Sequence, residues 1–190
     1  MCTFENSMIL SILEGGNLYM RKCFFVTPIG DKESEVRIHS DQVLRHLLTP
    51  VCSELDFEPI RVDKIAKTSV LTDDIFSHLK GDDLVIVDIT GHNPNVFLEL
   101  GYRMGLGRPY IIIQDCEYKA NYPFDISNIR IMSYSLDLDG IETSKSELSS
   151  FIKNTDFSSL NTINVFPDIP GESNLEVIRV PDGGININVK

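Results

Sequence analysis

Positive charge is scarce in this chain of 190 residues. Lys and Arg number 17 against 28 Asp and Glu, which gives a formal net charge of −11 at pH 7. No stripe rich in Lys and Arg and no stacking platform offsets this charge, which repels a phosphate backbone. Polymeric nucleic acid is therefore not an expected partner. A small anionic ligand remains compatible with the sequence, because a helix N-terminus and loop amides bind phosphate whatever the net charge.

Cysteine and long apolar runs are sparse too. The four cysteines, Cys2, Cys23, Cys52 and Cys116, form no CxxC pair and have no regular spacing, which is typical of a reduced, cytoplasmic protein. No run approaches the roughly 20 apolar residues of a membrane span. Residues 1–19 also lack the basic start and cleavage signal of a secretory leader. We therefore expect a cytoplasmic location and no membrane partner.

The signature motifs of several enzyme classes are missing. The sequence contains no GxxxxGKT-type phosphate loop, no GxGxxG fingerprint, no HExxH pair, no calcium loop and no GxSxG elbow. Its four histidines are scattered, which does not favour a zinc site. No metal and no cofactor are expected. His92 lies beside the crevice predicted below and stays a candidate ligand contact.

Apolar runs of strand length alternate with stretches of helical periodicity through most of the chain. Residues 84–89 (LVIVDI) are almost all aliphatic, which is typical of a central strand covered on both faces. Pro50 is expected to kink the last turns of the first helix. The predicted strands are 22–27, 57–62, 84–89, 110–114 and 129–136, and the predicted helices are 34–55, 69–79, 94–106 and 143–154.

This β-α-β-α alternation predicts a doubly wound, flavodoxin-like or Rossmann-like α/β fold. Its five-stranded parallel sheet should have right-handed crossovers and, most simply, the strand order 2-1-3-4-5. We expect this domain to cover residues 20–155. Residues 1–19 are an N-terminal extension or an upstream start. Residues 156–190, where Pro and Gly separate short alternating runs, are expected to form a β-hairpin or a flexible arm.

Ligands of an open α/β sheet bind outside the carboxyl ends of the strands, near the point where the strand order reverses. In this chain that point lies between the loop that begins at Pro28 and the loop that runs from Asp88 to Asn95. Asp88 ends the central strand. Its carboxylate is either at the floor of the crevice or in a turn, where it accepts backbone N–H bonds.

The helix after the third strand carries the most informative residue. Asn93 is its predicted N-cap, although an Asn amide also suits a ribose hydroxyl or a base edge. Glu99 interrupts an apolar stretch, and a carboxylate in partly apolar surroundings near the positive end of a helix can be held reactive. The alternative places Glu99 at the solvent edge, paired with Arg103. Gly101 and Gly105 indicate that this helix lies very close to another group.

Four segments of the sequence together resemble one known superfamily. The segments KCFFVTPIG, SEVR, DDLVIVDIT and GHNPNVFLELGYRMGLGRP resemble nucleoside 2-deoxyribosyltransferase-like proteins, especially the branch of predicted nucleotide-binding proteins close to TIR-like domains. The likeness covers residues 22–134, and NPNVFLELG is its specific part. In the transferases, the glutamate of the matching ELG segment attacks the anomeric carbon and forms a covalent glycosyl-enzyme. The resemblance therefore implies that Glu99 is a nucleophile.

The resemblance also implies roles for the residues around the crevice. Asp88 would take part in catalysis. The implied substrate-binding residues are Pro28, Ile29, Gly30, Arg37, Asn93 and Asn95. Arg37 offers a charge-assisted bond to the ligand, or it is a solvated helix residue. The transferases commonly have an acidic residue six positions before the glutamate, whereas this chain has Asn93, whose amide cannot act as a general acid.

The function implied by the resemblance is cleavage of an N-glycosidic bond. The substrate would be a nucleoside, a nucleotide or an NAD-like molecule, and the enzyme would act as a transferase or as a hydrolase. Asn93 favours an alternative, a non-catalytic nucleotide-binding or sensing module in signalling or antiphage defence. Relatives are often oligomers, so a homo-oligomer is expected by analogy.

Overall fold

Five parallel strands form the centre of the molecule. The computed structural model describes residues 20–64, 71–118, 126 and 129–157, together with the backbone of 176–179 and 185–188. The strands pair in the order β2-β1-β3-β4-β5, and every pair is parallel, so the predicted doubly wound α/β fold and its strand order are confirmed. The strands are β1 (Arg21–Val26), β2 (Phe57–Ile60), β3 (Leu84–Asp88), β4 (Tyr110–Asp115) and β5 (Ile131–Tyr134).

Helices connect the strands and cover both faces of the sheet. Two of the predicted strands are shorter than expected, since β2 ends at Ile60 and β5 spans four residues. A short 3-10 helix, Val62–Lys64, follows β2. The α-helices are α1 (Glu35–Gln42), α2 (Thr49–Glu54), α3 (Leu71–Gly81), α4 (Pro94–Gly105) and α5 (Ile141–Lys153).

The first predicted helix is interrupted by a π-helical segment. Helices α1 and α2 are joined by Val43–Leu48, in which the backbone N–H of Thr49 bonds to the carbonyl of Leu44, five residues earlier. Pro50 has no amide hydrogen, and its ring presses on the carbonyl four residues before it. The wider π turn lies where this crowding occurs. Where the sequence predicts a kink at Pro50, the structure therefore has a π segment just before it.

The two faces of the sheet are covered by different helices. Connections that move along the sheet in opposite directions pass over opposite faces, because each crossover is right-handed. Leu84 and Ile86 pack on the side of α1, α2 and α5, called the first face here. Val85 and Val87 pack on the side of α3 and α4, called the second face. Strand β3 is buried throughout for this reason, as its aliphatic sequence predicts.

A buried arginine joins the elements at the amino-end edge of the sheet. The side chain of Arg103 is fully buried and donates hydrogen bonds to the carbonyl of Leu79 at 2.6 Å and to that of Asp82 at 2.9 Å. It also donates to the carbonyls of Asp83 and Pro109, at 3.2 and 2.9 Å. Burial lowers the pKa of Arg103 to about 10, so its charge persists at neutral pH. One guanidinium thus ties the end of α3 to the loops that precede β3 and β4.

The described residues near the two termini do not test the predicted domain limits. Residues 1–19 lie outside the described residues, and so does the start of the helix predicted at 69. Near the C-terminus, strands β6 (Glu176–Arg179) and β7 (Ile185–Asn188) pair in antiparallel register. The division at residues 20 and 155 stays a prediction. Within the described part of the chain, no helix combines the length and apolarity needed to cross a membrane.

We predict that Arg103→Met lowers the free energy of unfolding by about 3 kcal/mol or more, because several buried carbonyls lose their donor at once and each unsatisfied group costs about 1–3 kcal/mol. Urea unfolding followed by far-UV circular dichroism measures the change. Arg45→Met, on the exposed side of the π segment, is the matched control and should change stability by less than about 0.5 kcal/mol. A loss below 1 kcal/mol for Arg103→Met would contradict the anchoring role.

Candidate functional site

The strand order reverses between β1 and β3, and open α/β sheets have their ligand crevice outside the carboxyl ends of the strands at this point. The chain leaves β1 toward α1 on the first face, and it leaves β3 toward α4 on the second face. The two connections diverge, which opens a space between them at the point where the strand order reverses. The sequence places its candidate residues on these two connections, and their positions in the structure follow.

Asp88 lies at the end of β3 and is fully buried. Its Oδ1 accepts hydrogen bonds from the backbone N–H of Thr90 at 3.0 Å and from the Thr90 hydroxyl at 2.6 Å. Its Oδ2 accepts one from the hydroxyl of Tyr134 at 2.8 Å. Burial raises the pKa of Asp88, and these donors oppose the rise. The turn interpretation of Asp88 is correct in that a backbone N–H binds it, but two side chains bind it as well.

The Asp88 carboxylate is the inner end of a polar network on the first face. The Tyr134 hydroxyl, at the end of β5, lies 2.8 Å from Nε2 of His39 in α1. Nε2 of His39 also lies 3.7 Å from Oδ2 of Asp115, at the end of β4. The backbone N–H of Asp115 donates to the Thr90 hydroxyl at 2.9 Å. The network thus connects α1 with the carboxyl ends of β3, β4 and β5.

The turn after β3 is tight and uses left-handed backbone. Gly91 has φ +80° and His92 has φ +52°, while the N–H of His92 bonds to the carbonyl of Ile89 at 2.9 Å. A left-handed conformation is uncommon for a residue other than glycine, and such strain is concentrated at functional sites. The ring of His92 packs edge-on against Phe97 and Tyr118, with ring centroids 5.6 and 5.1 Å apart.

Asn93 caps helix α4, as predicted. Its side-chain oxygen accepts a hydrogen bond from the backbone N–H of Asn95 at 2.9 Å, and Pro94 occupies the first helical position. This oxygen is therefore engaged by the helix. Asn95 is exposed in the first turn.

Glu99 lies in the second turn of α4 and is half-buried. Burial alone raises its pKa to about 7. In the ranges that the structure describes, no group donates a hydrogen bond to its carboxylate, and no cation pairs with it. The alternative pairing with Arg103 is wrong, because that guanidinium is committed to backbone carbonyls on the opposite edge of the sheet. Glu99 is a carboxylate held in partly apolar surroundings without compensation.

The orientation of Glu99 follows from its helical neighbours. Tyr102 lies one turn further along the same flank of α4, and its ring packs edge-on against Phe76 of α3 at a centroid distance of 4.8 Å. Glu99 therefore faces the side of α4 that is directed toward α3. Gly101 and Gly105 are on the exposed side, where an added Cβ would meet no atom within 4 Å, so the expected close approach does not occur in the described structure.

The loop after β1 is organised by its own helix cap. Ser34 caps α1: its hydroxyl donates to the carbonyl of Asp31 at 2.8 Å and accepts from the N–H of Arg37 at 3.2 Å. A Cβ at Gly30 would lie 2.3 Å from this hydroxyl oxygen, so the glycine makes room for the cap. Pro28 is half-buried, and Ile29 is exposed at the rim.

Arg37 is a member of an ion-pair cluster. Its guanidinium contacts the carboxylates of Asp41, at 3.2 Å, and Asp63. The fully buried Arg61 contacts the same two carboxylates and donates to the Ser40 hydroxyl at 2.7 Å. The pKa of Asp41 is lowered, first by its hydrogen bond with Arg61. Arg37 is thus neither a solvated residue nor an uncommitted cation.

The two carboxylates predicted to share the crevice lie on different faces of the sheet. Asp88 follows Leu84 and Ile86 on the first face, whereas Glu99 belongs to a helix of the second face. Sequence reasoning missed His39, Thr90, Asp115 and Tyr134. Asp115 and Tyr134 carried a usable signal, because each ends a strand at the same edge as Asp88. His39 carried none, because only folding brings α1 next to β5.

Other features of the molecule lie away from this edge. A cavity of about 660 Å³ is bounded by α2 and α5, and another of about 510 Å³ lies at the amino end of β4; Asp88, Asn93 and Glu99 line neither of them. Among the residues whose positions are described, no three His, Cys, Asp or Glu side chains are grouped as metal ligands.

Comparison with known proteins gives structural neighbours only. A scan against protein-family models finds no match, and a search of curated proteins finds none. A 2-deoxyribosyltransferase from Leishmania mexicana aligns with a TM-score of 0.46 at 11% identity, covering 68% of this chain and 97% of that one. A 2-deoxyribosyltransferase from Bacillus psychrosaccharolyticus aligns with a TM-score of 0.47 at 15% identity, covering 73% and 95%. At these values the likeness does not bear on activity, and the fold rests on the strand order itself.

Proposed function

We propose that this protein cleaves an N-glycosidic bond of a nucleoside, a nucleotide or an NAD-like molecule, with Glu99 as the nucleophile. The observation that carries the proposal is the state of Glu99: half-buried, without a hydrogen-bond donor in the described structure, and with a pKa of about 7. Such a carboxylate lowers the stability of the fold, and ionisable groups of this kind are concentrated at functional sites. The likeness of NPNVFLELG to the transferase motif supports the same role.

The reaction follows from a carboxylate placed at a ribose carbon. Glu99 attacks C1′, the bond from C1′ to the base nitrogen breaks, and a glycosyl ester forms on Glu99. Water or a second base then attacks C1′ from the opposite side and releases the carboxylate. Two displacements at one carbon give net retention of configuration. A carboxylate with few hydrogen bonds is a better nucleophile than a solvated one, because it has less solvation to lose.

The remaining candidate residues would border the sugar and its substituents. The exposed Ile29, with Pro28 and Gly30 beside it, forms one rim of the crevice, and Asn95 with the Asn93 amide forms the other. Arg37 would first have to exchange a carboxylate partner for the ligand, because Asp41 and Asp63 already bind it. An anionic ligand is therefore better served by the N-terminus of α4 than by this side chain.

Base release tests the proposal directly. The purified chain is incubated with NAD and with deoxynucleosides, and the free base is measured by chromatography. We expect turnover by the wild type and a loss of about 10³-fold or more in Glu99→Gln, because the amide cannot form the ester. Glu147→Gln, the same change at an exposed position of α5, should keep full activity. Binding without turnover in the wild type would favour the nucleotide-sensing alternative, and full activity in Glu99→Gln would exclude the nucleophile role.

The pH dependence distinguishes a nucleophile from a general acid. The pKa of Glu99 is about 7, so the carboxylate form predominates above that pH and the acid form below it. A nucleophile must be ionised, so kcat/KM should fall about tenfold for each pH unit below 7 and reach a plateau above it. Measurements between pH 5 and pH 9 with NAD, whose nicotinamide leaves without taking up a proton, would show this profile. The reverse profile, with activity lost above pH 7, would assign Glu99 the role of an acid.

The stability of the chain should also respond to Glu99. A folded-state pKa raised above the ordinary 4.5 means that ionisation weakens the fold as the pH rises from about 4.5 to about 7. After allowance for solvent screening of this half-buried group, Glu99→Gln should raise the free energy of unfolding by about 1–2 kcal/mol at pH 8 and by almost nothing at pH 4. Urea unfolding at both pH values measures the difference, with Glu147→Gln as the control. Equal effects at pH 4 and pH 8 would contradict the raised pKa.

A further inference from the structure

We propose that His39 is the acid–base residue of the crevice, which protonates the departing base and then activates the attacking water. Tyr134 and Asp88 are the residues that position it. The inference rests on the proposed function and names the proton donor that Asn93 cannot supply.

The hydrogen bonds around Asp88 determine which nitrogen of His39 carries a proton. Tyr134 has one hydroxyl hydrogen, and it is donated to Oδ2 of Asp88 at 2.8 Å. The phenol oxygen can therefore only accept from His39, whose Nε2 lies 2.8 Å away. Nε2 must carry a hydrogen whether the ring is neutral or charged. In the neutral ring the other nitrogen, Nδ1, is left with a bare lone pair.

Tyr134 is well suited to keep these hydrogen bonds running from His39 to its phenol oxygen and from its hydroxyl to Asp88. Its pKa is raised, chiefly by burial and then by the charge of Asp88, so the phenol keeps its hydrogen. The second oxygen of Asp88 is occupied by the two donors of Thr90. Asp88 itself is fully buried, so it cannot touch a ligand. The carboxylate that was predicted to be catalytic thus acts through Tyr134.

His39 is the member of the network that reaches solvent. Its side chain is 30% exposed, compared with 18% for Asp115. The groups that face it are Tyr134 on β5, Asp115 on β4 and, through the phenol, Asp88 on β3. No described residue bonds to Nδ1, so this nitrogen is available to a ligand.

His39 and Glu99 lie at similar positions along the helices that follow β1 and β3. His39 is the fifth residue of α1, the helix that follows β1, and Glu99 is the sixth residue of α4, the helix that follows β3. With a rise of about 1.5 Å per residue, the two side chains lie at similar depths below the helix starts. In the proposed reaction the ligand lies across the carboxyl-end edge between these two helices, with Glu99 of α4 on one side of C1′ and His39 of α1 on the other.

A base that is uncharged while attached to the sugar needs a proton donor, because without one it would leave as an anion. When Glu99 bonds to C1′, the electron pair of the broken bond goes to the base nitrogen, which takes the Nδ1 proton of the His39 imidazolium. Neutral His39 then removes a proton from water as that water attacks C1′, which restores the imidazolium and the Glu99 carboxylate. Sugar and base are released with one water consumed, so atoms and charge balance. A pyridinium base, such as the nicotinamide of NAD, leaves as a neutral molecule and needs no proton.

The dependence on leaving group gives the decisive test. Deoxyadenosine releases a base that requires protonation, whereas NAD and an N7-methylated purine nucleoside release bases that do not. We expect His39→Gln to lower the release of adenine in the first turnover, measured with the enzyme in excess of the substrate, by about 10²-fold or more. The first-turnover release of the cationic bases should change by less than about threefold. His46→Gln, at an exposed position of the π segment, is the control. Urea unfolding confirms that each variant is folded.

Each outcome decides between the proton donor and another role. An equal loss for both kinds of base, or no loss for either, would overturn the assignment of His39. A wild type that releases only pyridinium bases would overturn it too, because no proton donor is then needed. A wild type that releases no base contradicts the proposed function itself, which is a separate result.

The positioning role of Tyr134 has a spectroscopic signature that is independent of turnover. In nitrogen-15 spectra of the wild type, His39 should show a slowly exchanging Nε2 hydrogen, since Tyr134 accepts it. Tyr134→Phe should lose this signal, whereas Tyr110→Phe, near the opposite edge of the sheet, should keep it. An unchanged His39 signal in Tyr134→Phe would exclude the relay.

Discussion

The handedness of the crossovers is the constraint on which the arrangement of this molecule depends. A right-handed connection from β1 to β2 must cover one face, and the connections from β2 to β3 and from β3 to β4 must cover the other. The loops after β1 and β3 therefore part from each other and leave a crevice at the carboxyl edge. The same constraint puts His39 and Glu99 on opposite faces of the sheet, each on a helix that follows one of these two loops.

The two buried carboxylates of this edge are treated in opposite ways. Asp88 is fully buried, but it accepts three hydrogen bonds, and these offset much of the cost of removing its charge from water. Glu99 is only half-buried, yet no described group offsets its desolvation. The bonded arrangement of Asp88 is compatible with a stable fold, whereas the uncompensated burial of Glu99 lowers the free energy of unfolding. The proposed role of Glu99 as a nucleophile would account for the second arrangement, because activity is often retained at some cost in stability.

Arginine is used on both edges of the sheet, with different partners. At the amino end, Arg103 donates hydrogen bonds to a set of backbone carbonyls that water would otherwise satisfy. A single side chain thus holds together the end of α3 and the loops before β3 and β4. At the carboxyl end, Arg37 and Arg61 are neutralised by Asp41 and Asp63. The carboxyl edge therefore has no free guanidinium among these residues for a phosphate. In the proposed function, the ligand is recognised by helix N-termini, amides and the two ionisable side chains of α1 and α4.

The sequence by itself determined the strand order, the central position of β3 and the cap at Asn93, because each depends on local periodicity or on the residues next in the chain. It could not place Arg103, which pairs with carbonyls up to 24 residues away, nor the contact between His39 and Tyr134, which are 95 residues apart. Periodicity shows that a residue is at a strand end or on a helix face, but it does not show which distant side chain is opposite. Only the tertiary structure decided that Asp88 belongs to His39 and Tyr134, because the sheet brings the ends of β3, β4 and β5 together beneath α1.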